Sequence, residues 1–273
     1  MSSMIRVNDR GFAPPVILNL LIINALFYVA TILLDNNIDL YKIFGLHYIT
    51  ASDFRPWQLI TYMFMHGDFN HLFFNMLAVW MFGSVLERYW GSKRFLCYYF
   101  VTGIGAGLVH YIIIAIQIHS TMELMNGFIN QPSLESLKYL VETNTNELLT
   151  YNFQSLYQYA LQNPSEITAM TSNMIALKGS YLNHFNVVGA SGSVFGLLLA
   201  FGMLFPNSEI YLYFLIPIKA KWFVIIYGLL ELILGALGSN DGVAHFAHLG
   251  GMIFGIFMIL YWKKHDRNKN AYS

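Results

Sequence analysis

Ser191 is the residue of this chain whose setting most directly suggests chemistry. It stands in the segment Gly-Ala-Ser-Gly-Ser-Val-Phe-Gly at positions 189–196, which is apolar enough to lie in a lipid bilayer. A serine on a membrane helix usually serves helix packing. A serine flanked by glycines becomes a candidate nucleophile when a base lies within hydrogen-bond reach. Ser191 is therefore a candidate for hydrolytic chemistry within the membrane.

Groups that could assist this serine stand as pairs on two other apolar segments: His71 with Asn75, four residues apart, and His245 with His248, three residues apart. These spacings place each pair on one face of a helix. We predict that His248 takes the serine proton during attack on a peptide carbonyl and returns it to the leaving amine. His71 and Asn75 can both donate hydrogen bonds, so they are the predicted donors to the oxyanion of the tetrahedral intermediate. His245 is predicted to support the site.

Glycines repeat on the segments of the serine and of its predicted base: Gly192 with Gly196, and Gly251 with Gly255. This Gly-x-x-x-Gly spacing lets membrane helices approach closely. If the two faces meet, the serine and the histidine come within hydrogen-bond reach. The backbone N–H of Gly192 is then a further candidate oxyanion donor, and Gly189 leaves room for the backbone at the nucleophile.

Carboxylates are scarce around this constellation. No acidic residue stands near His248 on its own segment, so the sequence predicts a serine–histidine dyad. Asp241, one to two turns earlier, is a lesser candidate for a third member. Glu231 stands within another apolar segment, where buried carboxylates are costly and often functional. Because that segment is expected to lie away from the motifs, we interpret Glu231 as a structural hydrogen-bonding group.

The composition is that of an integral membrane protein. Of the 273 residues, 56% are hydrophobic and 11% charged, whereas soluble domains carry about 25% charged residues. A membrane-spanning helix needs about 20 apolar residues, and six stretches qualify: 15–34, 70–87, 95–119, 187–205, 222–237 and 243–262. The expected fold is an all-α bundle of six transmembrane helices, forming a single membrane domain over 1–273. Zero net charge gives no reason to expect nucleic acid as a partner, and the single cysteine excludes an intrachain disulfide.

The distribution of basic residues predicts the orientation. With the N-terminus inside, 11 of the 15 Lys and Arg residues fall on inner segments and 4 on outer ones. The positive-inside rule therefore places both termini in the cytoplasm. In this topology Ser191, His248 and His71 all stand near the outer ends of their helices. At ~1.5 Å per residue they lie within the outer ~10 Å of the membrane.

A long acidic connection at 120–183 follows the third predicted span and is expected to lie outside. Residues 133–141 are predicted to form a short amphipathic helix. Asn163-Pro164-Ser165-Glu166 has the composition of a helix start, with a capping residue, a first-turn proline and a capping-box acid. We expect two to four helices in this insertion, on the outer membrane surface or over the mouth of a site.

Three motifs together resemble those of the rhomboid intramembrane serine proteases. Gly-Ala-Ser191-Gly is similar to the nucleophile motif of that family, Ala-His248-Leu-Gly-Gly to the motif of its catalytic histidine, and His71-Leu-Phe-Phe-Asn75 to its oxyanion motif. The segment 87–95, Glu-Arg-Tyr-Trp-Gly-Ser-Lys-Arg-Phe, resembles the loop after the second span. Phe195 stands where several bacterial relatives have a tyrosine packed on the catalytic histidine. The ring is kept and the hydroxyl lost, which we expect to be tolerated.

The resemblance implies a six-helix bundle with a water-filled cavity open to the outside. It implies cleavage of transmembrane protein substrates near their outer ends, without a metal or cofactor. The expected location is the plasma membrane of a bacterium. Oligomeric state and substrate identity stay open.

Two other interpretations are considered. One is a metal-binding membrane protein, or metal transporter, whose ligands are His66, His71, His245 and His248, because imidazole suits zinc. It leaves a serine between glycines unexplained, and His66 is more simply interpreted as ordering the turn before the second span. The other is a catalytically inactive rhomboid-like protein that binds membrane clients, although such proteins usually lose the serine or the histidine.

Overall fold

A computed structural model describes residues 12–212, 215–238 and 243–271, and the chain in these ranges is predominantly helical. The α-helices are α1 (Pro15–Leu34), α2 (Leu40–Phe44), α3 (Gln58–Thr61), α4 (Phe69–Ala78), α5 (Ser84–Trp90), α6 (Ser92–Asn130), α7 (Leu134–Thr143), α8 (Glu147–Gln162), α9 (Thr171–His184), α10 (Ser191–Leu204), α11 (Ala220–Leu237) and α12 (His245–Ala271). A π-helical turn at Val79–Gly83 joins α4 to α5, and 3-10 turns lie at Tyr62–Phe64 and Pro164–Glu166. The short strands are β1 (Leu46–His47), β2 (Asn186–Val187), β3 (Glu209–Leu212) and β4 (Ile216–Lys219). β1 pairs with β2, and β3 with β4 as an antiparallel hairpin.

Five helices within the described ranges are long and apolar enough to cross a membrane. They are Pro15–Leu34, Phe69–Trp90, Ser92–Asn130, Ala220–Leu237 and His245–Arg267. The fourth predicted span corresponds to α10, an apolar helix of only 14 residues. It begins later than the sequence predicts because Gly189 has φ +126°, a conformation that cannot continue a right-handed helix. Its end is set by Pro206, close after Leu204.

Helix α6 runs 11 residues beyond the predicted end of the third span, to Asn130. No proline interrupts this stretch, since the first one after it is Pro132. Gly103, Gly105 and Gly107 lie within this helix, and a Cβ on any of them would come within 3.0 Å of a neighbouring side chain. Apolar composition therefore predicts only the part of α6 that is long and apolar enough to span a membrane, and the same helix continues to Asn130.

A buried carboxylate holds the beginning of α1. The first N–H groups of a helix have no acceptor within it. Glu87, on α5, accepts the N–H of Val16 at 3.1 Å and that of Ile17 at 3.0 Å. The hydroxyl of Ser92 donates to the same carboxylate at 2.7 Å. This explains why a charged residue is buried at this position. The segment 87–95, expected to be the loop after the second span, lies within α5 and α6 except for Gly91.

Small residues form the seam between α6, α10 and α12. A Cβ on Gly251 would collide with the backbone carbonyl of Gly192. A Cβ on Gly192 would collide with Ala106 of α6, and one on Gly196 would lie 2.7 Å from Thr102 of the same helix. The two Gly-x-x-x-Gly patterns therefore do not simply face each other. Only Gly251 approaches the Gly192 backbone directly, while the α10 glycines make room for α6.

The chain divides into two compact units. The first takes in the described parts of Met1–Leu46, Arg55–His110 and Val187–Ser273, and the second takes in His47–Phe54 and Tyr111–Asn186. The second unit has its own apolar core, in which Met125, Leu137, Phe153 and Met174 are fully buried. This explains how a largely polar insertion folds, since helices α7 to α9 each contribute one apolar face to that core.

The insertion contains three helices after α6, within the expected two to four. The predicted amphipathic helix at 133–141 is confirmed as α7, whose N-cap Ser133 forms a capping box with Ser136. The predicted helix start at Asn163–Glu166 is found as a 3-10 turn with Asn163 at its N-cap position and Pro164 first, but without a side-chain cap. This segment makes a single 3-10 turn after α8, and Glu166 accepts the hydroxyl of Tyr159 at 2.6 Å instead of capping a helix.

Candidate active site

The backbone turns sharply just before Ser191. Gly189 has φ +126°, and its N–H donates to the carbonyl of Tyr62 at 2.9 Å, which fixes the turn against the chain leading to α4. A Cβ at Gly189 would lie 2.7 Å from Nε2 of His71. Backbone conformation and lack of space both require glycine at this position.

Ser191 is the first residue of α10. Its N–H and that of Gly192 belong to the first helical turn, where no carbonyl within the helix can accept them. The positive end of the helix dipole lies at the same place. Backbone donors at a helix N-terminus are suited to stabilising the negatively charged carbonyl oxygen of a tetrahedral intermediate bonded to this serine.

Ser191 and His248 lie within hydrogen-bond distance, as the sequence predicts. The serine Oγ is 2.9 Å from Nε2 of His248. The histidine is buried, only 7% exposed, and stands three residues after the beginning of α12. This is the distance at which an imidazole can accept the hydroxyl proton as the oxygen attacks.

The other ring nitrogen of His248 faces the carboxylate of Glu231, which was expected to lie away from the motifs. Nδ1 of His248 is 2.9 Å from Oε2 of Glu231, and Nδ1 of His245 is 2.7 Å from the same oxygen. The expectation that the segment of Glu231 lies away from the motifs is therefore wrong. The Ser191–His248 pair therefore continues through a second hydrogen bond to Glu231. Asp241, the lesser candidate for a third member, lies outside the described residues.

A depth count on α11 could have located Glu231. This helix ends at Leu237, six residues after Glu231. At ~1.5 Å per residue, the carboxylate lies about 9 Å from that end. α11 ends where α10 and α12 begin, so the same depth holds Ser191 and His248. α11 bears none of the three motifs and runs in the opposite direction, so its depth must be counted from its end.

Aromatic rings hold the plane of His248. The ring of Phe195, one turn after the serine, stacks on the imidazole with centroids 4.1 Å apart and planes 8° apart. Tyr227 of α11 also stacks on Phe195, at 5.2 Å and 12°. The three nearly parallel rings from α12, α10 and α11 form one ring column, in which the stacking of Phe195 restricts rotation of the histidine. The motif resemblance predicts Phe195 at this position, whereas no motif of the sequence indicates Tyr227.

His71 lies on α4 beside the turn that leads to the serine, and Asn75 follows one turn later on the same helix. The side chain of Asp68 caps α4 by accepting the N–H of His71 at 2.9 Å, which fixes the first turn that carries the imidazole. Nε2 of His71 borders the Gly189 turn. Asn75, one turn later, is 6% exposed, and its Nδ2 has no hydrogen-bond partner among the described residues. A buried donor without an acceptor is costly, and the carbonyl oxygen of a substrate attacked by Ser191 is a chemically suitable acceptor.

His66 lies just before α4 and is almost fully buried. Its ring packs edge-on against His71, with centroids 5.0 Å apart. Burial, with the neighbouring His71 adding to it, lowers the pKa of His66 to about 3. The ring is therefore neutral at physiological pH, which suits a residue that orders the turn before α4.

The four histidines of the metal-site interpretation do not form one group in the described part of the chain. The cluster there that could hold a metal consists of Glu231, His245 and His248. Its nitrogen-to-oxygen distances of 2.7 and 2.9 Å are hydrogen-bond distances. Ligand atoms around a tetrahedral zinc ion stand about 3.3 Å apart, given zinc–nitrogen bonds of about 2.0 Å. The cluster as folded therefore fits shared protons better than a metal.

Comparison with known proteins identifies the family. A family model described as "Rhomboid domain" matches residues 53–120 and 147–265, more than half of the chain. The chain belongs to the rhomboid family. Rhomboid proteins are in general intramembrane serine proteases. The family match and the apolar helices together show a multi-pass membrane protein of the all-α rhomboid fold. The resemblance drawn from the three motifs is confirmed.

Similar curated rhomboid proteins come from fungi and bacteria. An uncharacterized mitochondrial rhomboid protein of Schizosaccharomyces pombe is 25% identical over 217 residues, covering 77% of this chain and 52% of that protein. Mitochondrial rhomboid protein 1 of Saccharomyces cerevisiae is 24% identical over 225 residues, covering 82% and 46%. The rhomboid protease GluP of Bacillus subtilis is 39% identical over 56 residues, covering 20% and 11%.

The chain spans about half the length of the two yeast proteins. Both of these matches extend over most of this chain, and both proteins are described as mitochondrial. This conflicts with the expectation of a bacterial plasma membrane. The apolar helices support a multi-pass membrane protein, whichever membrane contains it.

Proposed function

We propose that this protein is an intramembrane serine endopeptidase that hydrolyses peptide bonds in or near the transmembrane segments of other membrane proteins. Ser191 is the nucleophile and His248 the general base. The observation that carries the proposal is the 2.9 Å contact between Ser191 Oγ and His248 Nε2. The contact joins a serine at a helix N-terminus to a buried imidazole, which is the arrangement that nucleophilic hydrolysis requires.

The first half of the reaction forms an acyl-enzyme. Nε2 of His248 takes the hydroxyl proton while Ser191 Oγ bonds to the substrate carbonyl carbon, and the carbonyl oxygen becomes an oxyanion. The imidazolium then gives the proton to the amide nitrogen as the carbon–nitrogen bond breaks. In the second half, a water molecule repeats the attack on the acyl group with His248 again as base, and Ser191 leaves with its proton.

The oxyanion is stabilised by donors from two helices. The backbone N–H groups of Ser191 and Gly192 lie at the start of α10, and the side chains of His71 and Asn75 lie on α4. Removing one such donor in other hydrolases costs about 10² to 10³ in rate. The unpaired Nδ2 of Asn75 supports this role because a resting protein bears the cost of a buried donor without an acceptor.

The substrates are proposed to be membrane proteins whose transmembrane helices reach the depth of Ser191. Ser191, His71 and His248 stand in the first turns of α10, α4 and α12, so they share one end of the bundle. The excess of Lys and Arg on the segments at the opposite end favours the outer leaflet for the site. A helix that unwinds near its outer end offers an extended peptide bond there.

A fluorophosphonate probe, which labels activated serines, tests this proposal on the full chain in detergent or liposomes. We expect labelling of the wild type, and loss of labelling in both Ser191→Ala and His248→Ala. Ser193→Ala is the matched control, because that hydroxyl donates to the carbonyl of Tyr99 at 2.7 Å and faces away from the site. Labelling that persists in Ser191→Ala would reject the proposal.

A cleavage assay separates the protease from an inactive client-binding protein. Wild-type protein is incubated in liposomes with a single-span substrate that carries small residues near its outer end, and the products are sized by mass spectrometry. We expect a cut in or next to the span that Ser191→Ala abolishes. A wild type that binds this substrate but neither labels nor cleaves it would favour the client-binding alternative.

A further inference from the structure

Glu231 shares one carboxylate oxygen between two buried histidines. Oε2 lies 2.7 Å from Nδ1 of His245 and 2.9 Å from Nδ1 of His248. All three residues are no more than 7% exposed. A carboxylate in such a setting is stable only if donors compensate for its loss of water. The simplest proton arrangement gives each histidine an Nδ1–H that donates to a charged Glu231.

This arrangement determines the tautomer of His248. With its proton on Nδ1, the imidazole presents an unprotonated Nε2, the atom 2.9 Å from Ser191 Oγ. Nε2 can then accept the serine proton. The opposite tautomer would point an N–H at the hydroxyl and could not act as a base. The hydrogen bond to Glu231 therefore selects the reactive form of the ring.

We propose that Glu231 is a positioning residue that completes a Ser191–His248–Glu231 relay, with His245 holding the carboxylate in place. The inference rests on the proposed function of Ser191 and His248. When His248 takes the serine proton, a positive charge forms 2.9 Å from the Glu231 carboxylate. No proton passes to Glu231, which stabilises the imidazolium electrostatically until the leaving amine removes the proton.

Two features favour this role over simple helix packing. The first is that both histidines of α12 address the same oxygen, so Oε2 is restrained from two directions. The second is the ring column, in which Phe195 holds the His248 plane at 8°. Stacking fixes the plane of the imidazole, and the carboxylate fixes its rotation within that plane. Together they leave one orientation of Nε2, directed at the serine.

Glu231→Gln tests the inference because it keeps the shape of the side chain and removes its charge. We expect the rate of fluorophosphonate labelling to fall by about 100-fold or more, and neutralising the orienting carboxylate of a catalytic triad costs about 10⁴-fold in other hydrolases. Labelling should still depend on Ser191. The acid limb of the pH–rate profile should move to lower pH, because a neutral amide does not stabilise the imidazolium.

Glu87→Gln is the matched control. Glu87 is also a buried carboxylate with several donors, but it holds the beginning of α1. Its neutralisation should lower the thermal unfolding midpoint and leave the acid limb of the pH–rate profile in place. His245→Gln should slow labelling by a smaller factor, about 10-fold, since it acts through the carboxylate. Glu231→Asp, which restores the charge on a shorter side chain, should recover part of the rate and the wild-type acid limb.

The outcomes separate the two hypotheses. If the Glu231→Gln variant folds, is labelled at the wild-type rate and keeps the wild-type acid limb of the pH–rate profile, the role of Glu231 is overturned and the proposed function is left intact. If the wild-type protein is not labelled, or if the Ser191→Ala variant is labelled as strongly as the wild type, the proposed function itself is rejected. If Glu231→Gln does not fold, His245→Gln decides, because loss of a purely structural hydrogen bond would lower the thermal unfolding midpoint without slowing the labelling of the folded protein.

Discussion

Gly251 lies so close to the carbonyl of Gly192 that no Cβ fits between them. The contact joins α12 to α10 beside the proposed nucleophile and one turn from the proposed base, because Gly192 follows Ser191 directly and Gly251 follows His248 by three residues. Since Ser191 and His248 are fixed to these two backbones, the distance between their reactive atoms depends on this approach. Close packing and catalytic geometry therefore have the same structural cause.

Gly251→Ala should separate the two helices and reduce activity. The added methyl would meet a backbone carbonyl, which cannot rotate away as a side chain can, and overpacking typically costs about 1–3 kcal/mol. We expect a lower unfolding midpoint and at least about a 10-fold slower labelling of Ser191. Gly228→Ala is the control, since its Cβ would meet the flexible Met252 at an ordinary 3.5 Å. Equal effects of the two substitutions would contradict this account.

Phe195→Leu should slow the reaction without unfolding the protein. Leucine fills much of the volume but removes the ring that lies 4.1 Å from the imidazole centroid, which contributes about 0.5–1.5 kcal/mol in aromatic pairs. We expect a rate of probe labelling about 3- to 10-fold lower than in the wild type. Phe201→Leu, on the same helix but packed on Phe82 at 5.2 Å, should label normally. The idea that the stack orients His248 fails if both variants label at the wild-type rate.

His66 should make the protein less stable in acid. Its pKa is lowered to about 3 in the fold by burial, against an ordinary value of 6.5. Above pH 6.5 the ring is neutral in both folded and unfolded chains, so its contribution is intact. Between about pH 6.5 and 3 the unfolded chain alone binds the proton, and stability falls by about 1.4 kcal/mol per pH unit. His66→Asn should flatten the fall of the unfolding midpoint over this range, measured in detergent; an unchanged slope would argue against a buried neutral ring.

Phe153→Ala should loosen the second unit and spare the site. Phe153 is fully buried in the core of that unit, and removing such a ring costs about 3–5 kcal/mol. All the proposed catalytic residues belong to the first unit. We expect faster trypsin cleavage after Lys138 or Lys178, with probe labelling of Ser191 within about two-fold of wild type. Tyr151→Ala, an exposed neighbour on α8, should change neither. If Phe153→Ala is cleaved faster by trypsin and also loses probe labelling of Ser191, the insertion is required for the site.

Much of the site could be predicted because its members stand in short, regularly spaced motifs. Spacings of three and four residues placed the histidines and Asn75 on helix faces, and depth counting brought Ser191 and His248 together. The first span was predicted at 15–34 and found at Pro15–Leu34. These successes share one cause: a membrane helix converts sequence position directly into depth.

Glu231 was missed for a physical reason. A single carboxylate within an apolar helix has no neighbours in sequence that reveal its partners, and both of its partners here lie on α12, 14 and 17 residues away. The later start of α10 was also not visible in hydropathy, because residues 187–190 are as apolar as the helix that follows. Backbone conformation at Gly189, not composition, sets that boundary.

The carboxylate that holds α1 bears on the order in which the chain is built. Ile17 finds its acceptor in Glu87, 70 residues later in the sequence. During synthesis the start of the first span therefore remains without this partner until the second span has followed it. Insertion of α1 and its final docking are separate events, and the second waits for α5. Substitutions of Glu87 should accordingly reduce the yield of assembled protein more than they affect molecules that have already folded.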